Sequence, residues 1–410
     1  MSALFNHLSF YTIFNIQFFG ENMQGYMKTI ILLAFSSFCM GVAEFIISGI
    51  ITNISKHYNI LVGEAGNLAT LYAIGVVIGA PIVSVLISAW NYKLQLAFTL
   101  FIFCFSNAII FFADNFLIML IARFIGGLMH GLFFVIATIV AIKVAPQNKT
   151  STALSLMVSG LTIALVTGIP LGIFLSEQYS LLFPFAFIAV FSLLVAIATL
   201  FIMPDLKGNK GSFKNLIIAF RFPPLYQGFL ITAFTCGSQF VLYVYLRVFL
   251  EKHGFHTDTI KNIFLLYGIA AIIGNLFGGK FADSRGSFLA LSIILILQIT
   301  FFSLMSVTYM FGELFVIINI LCMAFFGFAS IAPLKMLSTY LAHTYTPKTQ
   351  NDTIALNEGA FNVGIAFASF IGGIVEHNIS VNFNGLFSAI FSICAWLILF
   401  LCIRKIYYRM

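Results

Sequence analysis

Long runs without a charged residue constrain this chain more than any other feature of its sequence. Leu96–Phe112, Leu181–Met203 and Leu289–Met305 contain no Asp, Glu, Lys or Arg over at least 17 residues each. About 20 apolar residues form a helix that crosses the ~30 Å hydrocarbon core of a bilayer. Of the 410 residues, 61% are apolar and only 8% are charged, whereas soluble domains carry about 25% charged residues. The sequence therefore predicts an all-α membrane protein.

Breaks between the apolar runs predict twelve transmembrane helices in two groups of six. The approximate spans are 28–54, 65–88, 93–113, 115–142, 151–176, 181–203, 225–250, 259–282, 287–309, 312–340, 352–375 and 383–403. The longest break, Pro204–Pro224, is polar and basic. We expect an N-terminal extension (1–27, cytoplasmic and disordered), a six-helix bundle (28–203), a cytoplasmic linker (204–224), a second six-helix bundle (225–404) and a cytoplasmic tail (405–410).

The distribution of positive residues predicts the orientation in the membrane. If the N-terminus is cytoplasmic, fourteen Lys and Arg residues fall on the cytoplasmic side, and four, Lys56, Arg247, Lys252 and Lys261, fall on the other. Cytoplasmic loops are enriched in Lys and Arg. Both termini are therefore expected in the cytoplasm, with the chain a monomer in the cytoplasmic (inner) membrane. Topology accounts for the net charge of +7, and we expect no nucleic-acid partner.

An internal repeat relates the two groups of helices. Tyr72–Gly79 aligns with Tyr267–Gly274 at an offset of 195 residues, and the same offset places Glu44 on Gln239. Two parallel copies of a six-helix unit, related by a pseudo-two-fold axis, are typical of secondary carriers whose substrate path lies between the halves. Duplication without transport is the alternative interpretation.

Four charged residues lie deep within the predicted spans, namely Glu44, Arg123, Lys335 and Glu358. Such charges are costly and usually face a cavity or a partner. Glu44 and Arg123 are predicted at overlapping depths, and a carboxylate in a low-dielectric cavity can hold a proton near neutral pH. They are candidates for proton coupling or substrate contact. A static ion pair, or Arg123 bound to backbone carbonyls of the first span, is the alternative.

Several polar residues extend this candidate site. Gln239, the neutral repeat partner of Glu44, confines any proton site at this position to one half. His130 follows Arg123 by seven residues and so shares its helical face, as a proton relay, a substrate ligand or a packing residue. Lys335 and Glu358, with Asn357, lie towards the cytoplasmic ends of spans ten and eleven, where an ion pair could gate the path or tether two helices.

Small residues mark close helix contacts. Gly160, Gly168, Pro170 and Gly172 lie in the fifth span, and Gly372 and Gly373 lie in the equivalent eleventh span. Pro170 is expected to bend its helix. Bent helices between the halves would suit alternating access, although dense packing alone also explains the glycines.

Other function classes lack their signatures. The six cysteines lie in apolar segments at irregular spacing without a CxxC pair, so we expect no disulfide framework and no metal site. No Walker loop, GxSxG or HExxH motif occurs. We therefore expect neither an enzyme nor a cofactor.

Several motifs resemble those of a known family. Gly279–Gly286, with Asp283 between its end glycines, resembles the GxxxDxxG loop of the major facilitator superfamily, and the first-half copy has Ser84 and Ser88 instead. Arg123–Gly127 and Gly168–Gly172 resemble motifs of the drug/proton antiporter branch. Within that branch, Gly41–Phe45, His130–Phe134 and Ala332–Leu334 resemble the arabinose efflux permease group of sugar exporters.

This resemblance implies alternating access coupled to inward proton flow. Arg123 would support coupling, Glu44 would face the cavity, the Gly168–Gly172 segment would seal the halves, and the loop at Gly279 would take part in gating. Lys335 is unusual for the group and points to an anionic or zwitterionic substrate. The leading hypothesis is a proton-driven exporter of a small solute (sugar, drug or metabolite). The alternatives are a facilitator or symporter that imports a nutrient, and a non-transporting receptor or scaffold.

Overall fold

The computed structural model describes residues 25–146, 150–208 and 213–404. Within these ranges it contains twelve helices long and apolar enough to cross a membrane. This confirms the predicted all-α membrane fold. Residues 1–24 and 405–410 lie outside the described residues, so the N-terminal extension and the cytoplasmic tail stay predictions.

The helices follow one another with short connections, and each half contributes six. The first half consists of α1 (Gly25–Tyr58), α2 (Val62–Ile87), α3 (Tyr92–Phe111), α4 (Phe116–Val144), α5 (Thr150–Gln178) and α6 (Phe183–Ile202). The second half consists of α7 (Pro223–Lys252), α8 (Thr257–Arg285), α9 (Ser287–Phe311), α10 (Glu313–Tyr345), α11 (Gln350–Asn378) and α12 (Val381–Ile403). The linker between α6 and α7 includes a short helix, Phe213–Ile218. The face of the molecule that carries this linker is called the linker side, and the opposite face is called the distal side.

Glycines on the fifth helix of each half pack against the first helix of the same half. A Cβ on Gly160 would collide with the carbonyl oxygen of Ala34, and one on Gly172 would lie 2.5 Å from Ile46 Cγ1. Gly168 is in ordinary contact with Val42. These glycines therefore pack within their own half, while α5 meets the other half beside them, where a Cβ on Gly268 of α8 would lie 2.6 Å from Val166 Cα. The expectation that the Gly168–Gly172 segment seals the two halves stays a prediction. Small residues are needed here because α5 approaches α1 within its own half, and the helix continues through Pro170 to Gln178.

The eleventh helix repeats this packing and adds one contact between the halves. A Cβ on Gly372 would meet the carbonyl oxygen of Val241 in α7. Gly373 faces the other half instead, because its carbonyl oxygen would lie 2.7 Å from a Cβ on Gly63, at the start of α2. The backbones of α2 and α11 therefore touch on the distal side.

Prolines interrupt two helices. In α2, Pro81 lies within a π-helical turn, Gly79–Val83. In α10, the helix breaks at Ser330, between the segments Glu313–Ala329 and Ile331–Tyr345. Pro333 has no N–H group for the carbonyl of Ala329 four residues earlier, and its ring crowds that carbonyl. The carbonyl of Ala329 thus loses its helical donor.

Candidate functional site

Arg123 is buried in the first half and holds three helices together. Its side chain is 1% exposed. Nη1 donates a hydrogen bond of 2.7 Å to the carbonyl oxygen of Ala43 in α1, and Nε donates one of 3.3 Å to that of Leu68 in α2. The guanidinium carbon lies 3.9 Å from the centre of the Tyr72 ring, close enough for a cation–π interaction. Among the described residues, Nη2 has no hydrogen-bond partner.

Glu44 lies near the middle of α1, next to the carbonyl that Arg123 binds. Its side chain is only half-buried. Within the described part of the chain, no hydrogen bond or ion pair joins its carboxylate to Arg123. The two residues do lie at similar depth, and the geometry is that of the alternative interpretation, in which Arg123 binds the backbone of the first span.

His130 shares the face of α4 that carries Arg123. The Nδ1 atom of His130 and the hydroxyl of Tyr72 are 2.8 Å apart and share a hydrogen bond. Tyr72 therefore contacts Arg123 with its ring and His130 with its hydroxyl. His130 is 5% exposed, so in this conformation it packs within the half rather than facing open space.

The corresponding region of the second half is a neutral hydrogen-bonded cluster. Gln239 Nε2 donates a hydrogen bond of 2.5 Å to the carbonyl oxygen of Gly327, just before the break in α10. That carbonyl also accepts bonds from Ser330 Oγ at 2.7 Å and from Gln298 Nε2 at 3.4 Å. Donors from neighbouring side chains satisfy the carbonyls freed by a helix break in a membrane. Gln239, which the sequence groups with the candidate proton or substrate site, is 4% exposed here and donates to the carbonyl beside this break.

Lys335 and Glu358 form an ion pair between α10 and α11. The distance from Lys335 Nζ to Glu358 Oε1 is 3.1 Å, and the two side chains are 56% and 50% exposed. The neighbouring Asn357 is buried and accepts a hydrogen bond of 2.9 Å from the hydroxyl of Thr232 in α7. Asn357 thus joins α11 to α7 and has little surface for a solute.

The motif around Asp283 forms the connection between α8 and α9. Gly286 has φ +82° and joins the two helices, a conformation that favours glycine. A Cβ on Gly279 would lie 3.6 Å from Ala332 Cβ in α10, which is an ordinary contact distance. Asp283 is exposed and has no ion-pair partner among the described residues.

A cavity lies between the two halves on the linker side. Its volume is about 580 Å³, and its described lining comes from α2, α3 and α4 of the first half, α7 and α11 of the second, and the linker. The π-helical turn at Pro81 forms part of the wall. Neither Glu44 nor Arg123 is among the described lining residues.

Polar links that were not predicted from the sequence join the halves on the distal side. Arg247 in α7 donates hydrogen bonds to the carbonyl oxygen of Gly49 and, at 3.1 Å, to Asn53 Oδ1, both in α1. Its Nε lies 2.7 Å from Glu251 Oε1. The sequence places Arg247 among the positive residues on the non-cytoplasmic side, but its side chain is buried and only 3% exposed. A second link joins Lys261 of α8 to Glu177 of α5 at 2.5 Å.

Two six-helix halves with a cavity between them on one side, and contacts closing the other, define a membrane transporter for a solute. The sequence profile of the Major Facilitator Superfamily matches residues 33–336. The chain belongs to this superfamily, as the motifs predicted.

Individual relatives agree with this assignment. The chain is 34% identical over 360 residues to YtbD of Bacillus subtilis (strain 168), named an uncharacterized transporter of this type, with 87% of this chain and 90% of that protein covered. It is 26% identical over 384 residues to a protein of Mannheimia succiniciproducens named "Probable sugar efflux transporter", covering 92% and 95%. The solved structure of a mutant of the nucleoside transporter NupG superposes with a TM-score of 0.75 at 13% identity, covering 92% of this chain and 99% of that one, and so shares the fold.

Proposed function

We propose that this chain exports a small solute across the cytoplasmic membrane in exchange for protons. It would do so by alternating access, as a monomer with both termini in the cytoplasm. The linker side is then the cytoplasmic side, and the structure is the conformation in which the cavity faces the cytoplasm.

The observation that carries this proposal is the environment of Glu44. A carboxylate halfway along a membrane helix, half-buried and without an ion-pair partner among the described residues, is costly when charged. Removal from water favours the neutral, protonated form of a carboxylate, and a nearby cation favours the charged form. Arg123 is that cation, and its unpartnered Nη2 leaves a donor for the charged state.

The remaining geometry supports a cycle built on this site. With the cavity open to the cytoplasm, Glu44 releases its proton and the solute enters. Opening the distal side then requires Arg247 to leave Gly49 and Asn53, and Lys261 to leave Glu177. Glu44 takes up a proton from the distal side once the solute has gone, and the halves rock back.

The test uses purified protein in liposomes that contain a pH-sensitive dye. Sugars, amino acids, siderophores, cationic drugs and neutral amphipathic compounds are supplied in turn, with and without a pH gradient. We expect at least one solute to move protons with the wild-type protein and with Glu313→Gln, and no solute to do so with Glu44→Gln. Glu313 is a matched control because it is an exposed carboxylate at the first residue of α10.

Two outcomes would reject the proposal. A wild-type protein that moves protons with no member of the panel is not a proton antiporter for these classes. A Glu44→Gln protein with undiminished downhill uptake, alongside a wild type indifferent to the pH gradient, would identify a facilitator that imports a nutrient.

A further inference from the structure

The cavity on the linker side has the size of a small-molecule site. Pockets that bind such ligands usually measure about 300–1,000 Å³, and this one measures about 580 Å³. Both halves contribute to its wall. A molecule that occupies it would therefore touch both halves at once, as a transported solute must.

The wall of the cavity is apolar and uncharged. None of its 20 described lining residues is Asp, Glu, Lys, Arg or His, and most are aliphatic or aromatic. Transferring an ion into such surroundings without a counter-charge is strongly unfavourable. The chemistry of the wall thus selects against anions and cations.

Few polar groups are left to bind a solute. The hydroxyls of Ser84 and Ser88 donate to the carbonyl oxygens of Pro81 and Val85 in their own helix, at 3.3 and 2.7 Å. A hydroxyl that donates its proton can still accept a hydrogen bond. Tyr226, 40% exposed, adds a phenol. The amide nitrogen of Gln95 already donates to two carbonyls, those of Ser88 and Trp90.

These few hydrogen-bonding groups can satisfy one or two polar groups of a solute that is otherwise apolar. A sugar carries a hydroxyl on almost every carbon, and each buried hydroxyl without a partner loses its hydrogen bonds to water. The charges of Lys335 and Glu358 lie outside the described lining and offset each other at 3.1 Å. An uncharged solute in this cavity needs no partner from this pair, whereas the anionic or zwitterionic solute that Lys335 indicates in the sequence would have to reach it outside the described lining.

We propose that this cavity binds an uncharged, amphipathic solute from the cytoplasm, in preference to a sugar or an ion. The proposal rests on the proposed export function, because it names the class of solute exported. Gly359 is a suitable position for substitutions that fill the site. It is part of the lining, and a Cβ there would have no heavy atom within 4 Å.

The test measures binding to purified protein in lipid nanodiscs, with empty nanodiscs as the blank. The probes are N-phenyl-1-naphthylamine, which is neutral and amphipathic, and 1-anilinonaphthalene-8-sulfonate, which carries a sulfonate on the same skeleton. We expect saturable binding of the neutral probe, at least about tenfold weaker binding of the anion because the described lining carries no counter-charge, and no competition by arabinose. Gly359→Phe should weaken binding of the neutral probe by about tenfold, because the ring occupies the cavity.

Control variants distinguish an effect on the binding site from an effect on folding. Ile296→Phe places the same ring on the exposed surface of α9 and should leave binding unchanged. If Gly359→Phe does not yield folded protein, Gly359→Leu fills part of the same space and should weaken binding by a smaller factor. Equal binding of the two probes, competition by arabinose, or wild-type affinity in a folded Gly359 variant would overturn the proposal. Since no proton gradient is present, probe binding without proton movement would retain the site and reject only the coupling.

Discussion

The two halves of the transporter carry different polar chemistry at the same position of their first helices. Glu44 in α1 is half-buried and has no ion-pair partner among the described residues, with Arg123 bound to the backbone beside it. Gln239, its repeat partner in α7, is buried and donates to the carbonyl of Gly327. The first half thus has a carboxylate without an ion-pair partner among the described residues, whereas the second half has an amide that belongs to a buried hydrogen-bonded cluster.

The difference follows from the break in α10. The first segment of α10 ends at Ala329, before the break at Ser330, and Gln239 donates to the carbonyl of Gly327 near that end. An ionised carboxylate has no donor and could not take this place. Duplication thus freed one copy for proton chemistry, in our proposal, while the other became part of the scaffold.

Moving the carboxylate to the second half is the strongest challenge to this comparison. In a Glu44→Gln, Gln239→Glu double variant, the new carboxylate would face the Gly327 carbonyl, with two acceptors opposed. We expect no recovery of proton flux and a free energy of unfolding lower by roughly 3 kcal/mol, the upper end for an unsatisfied buried group. Proton flux in liposomes and thermal unfolding measure the two effects. Restored coupling would show that the halves are interchangeable.

Arg123→Lys tests the charged side of the comparison. The charge is kept, but a single ammonium cannot bind the carbonyls of both Ala43 and Leu68 in the geometry of the guanidinium. We expect a loss of about 2 kcal/mol in the free energy of unfolding, from one charged hydrogen bond, and reduced proton flux. Arg221→Lys, at an exposed arginine of the linker, is the control and should leave both values unchanged. Full stability and flux in Arg123→Lys would show that charge alone suffices.

Gln239→Leu tests the neutral side. The substitution removes one donor to the Gly327 carbonyl, which retains the bond from Ser330 Oγ. We expect a loss of about 1 kcal/mol in stability, seen as a lower melting temperature, with proton-coupled transport retained. Loss of coupling at an unchanged melting temperature would place proton chemistry in the second half as well.

The Lys335–Glu358 pair should give the smallest effect. Both side chains are about half exposed, and exposed ion pairs contribute about 0–1 kcal/mol. A double-mutant cycle with Lys335→Met and Glu358→Gln should therefore yield a coupling energy below about 1 kcal/mol. A clearly larger value would identify a firm tether between α10 and α11, which we do not expect for two side chains that water or a solute can reach.

Hydropathy and the repeat were sufficient to predict much of the fold. Twelve charge-poor runs predicted the twelve helices, because length and apolarity determine what spans a bilayer. The seven-residue spacing of Arg123 and His130 correctly placed both on one face of α4, where Tyr72 contacts them. Helical periodicity specifies which residues share a face, so such statements follow from the sequence.

Which neighbour a face meets could not be predicted in the same way. The glycines of α5 pack on α1, a partner that the sequence could not name because small residues indicate only a close approach. Arg247 was counted as a loop charge, since its position near the end of a span gives no sign of Gly49 and Asn53 opposite it. Such contacts depend on how the helices pack.

The distal link at Arg247 also has an electrical consequence. Glu251 lies four residues after Arg247 on the same helix and is paired with it, so the two charges move together when the distal side opens. Their sum is zero, and the membrane potential does work only on net charge displaced across the field. This gate can therefore open and close at any voltage with little electrical cost. In the proposed cycle, the driving force of the membrane potential is left to act on the proton at Glu44.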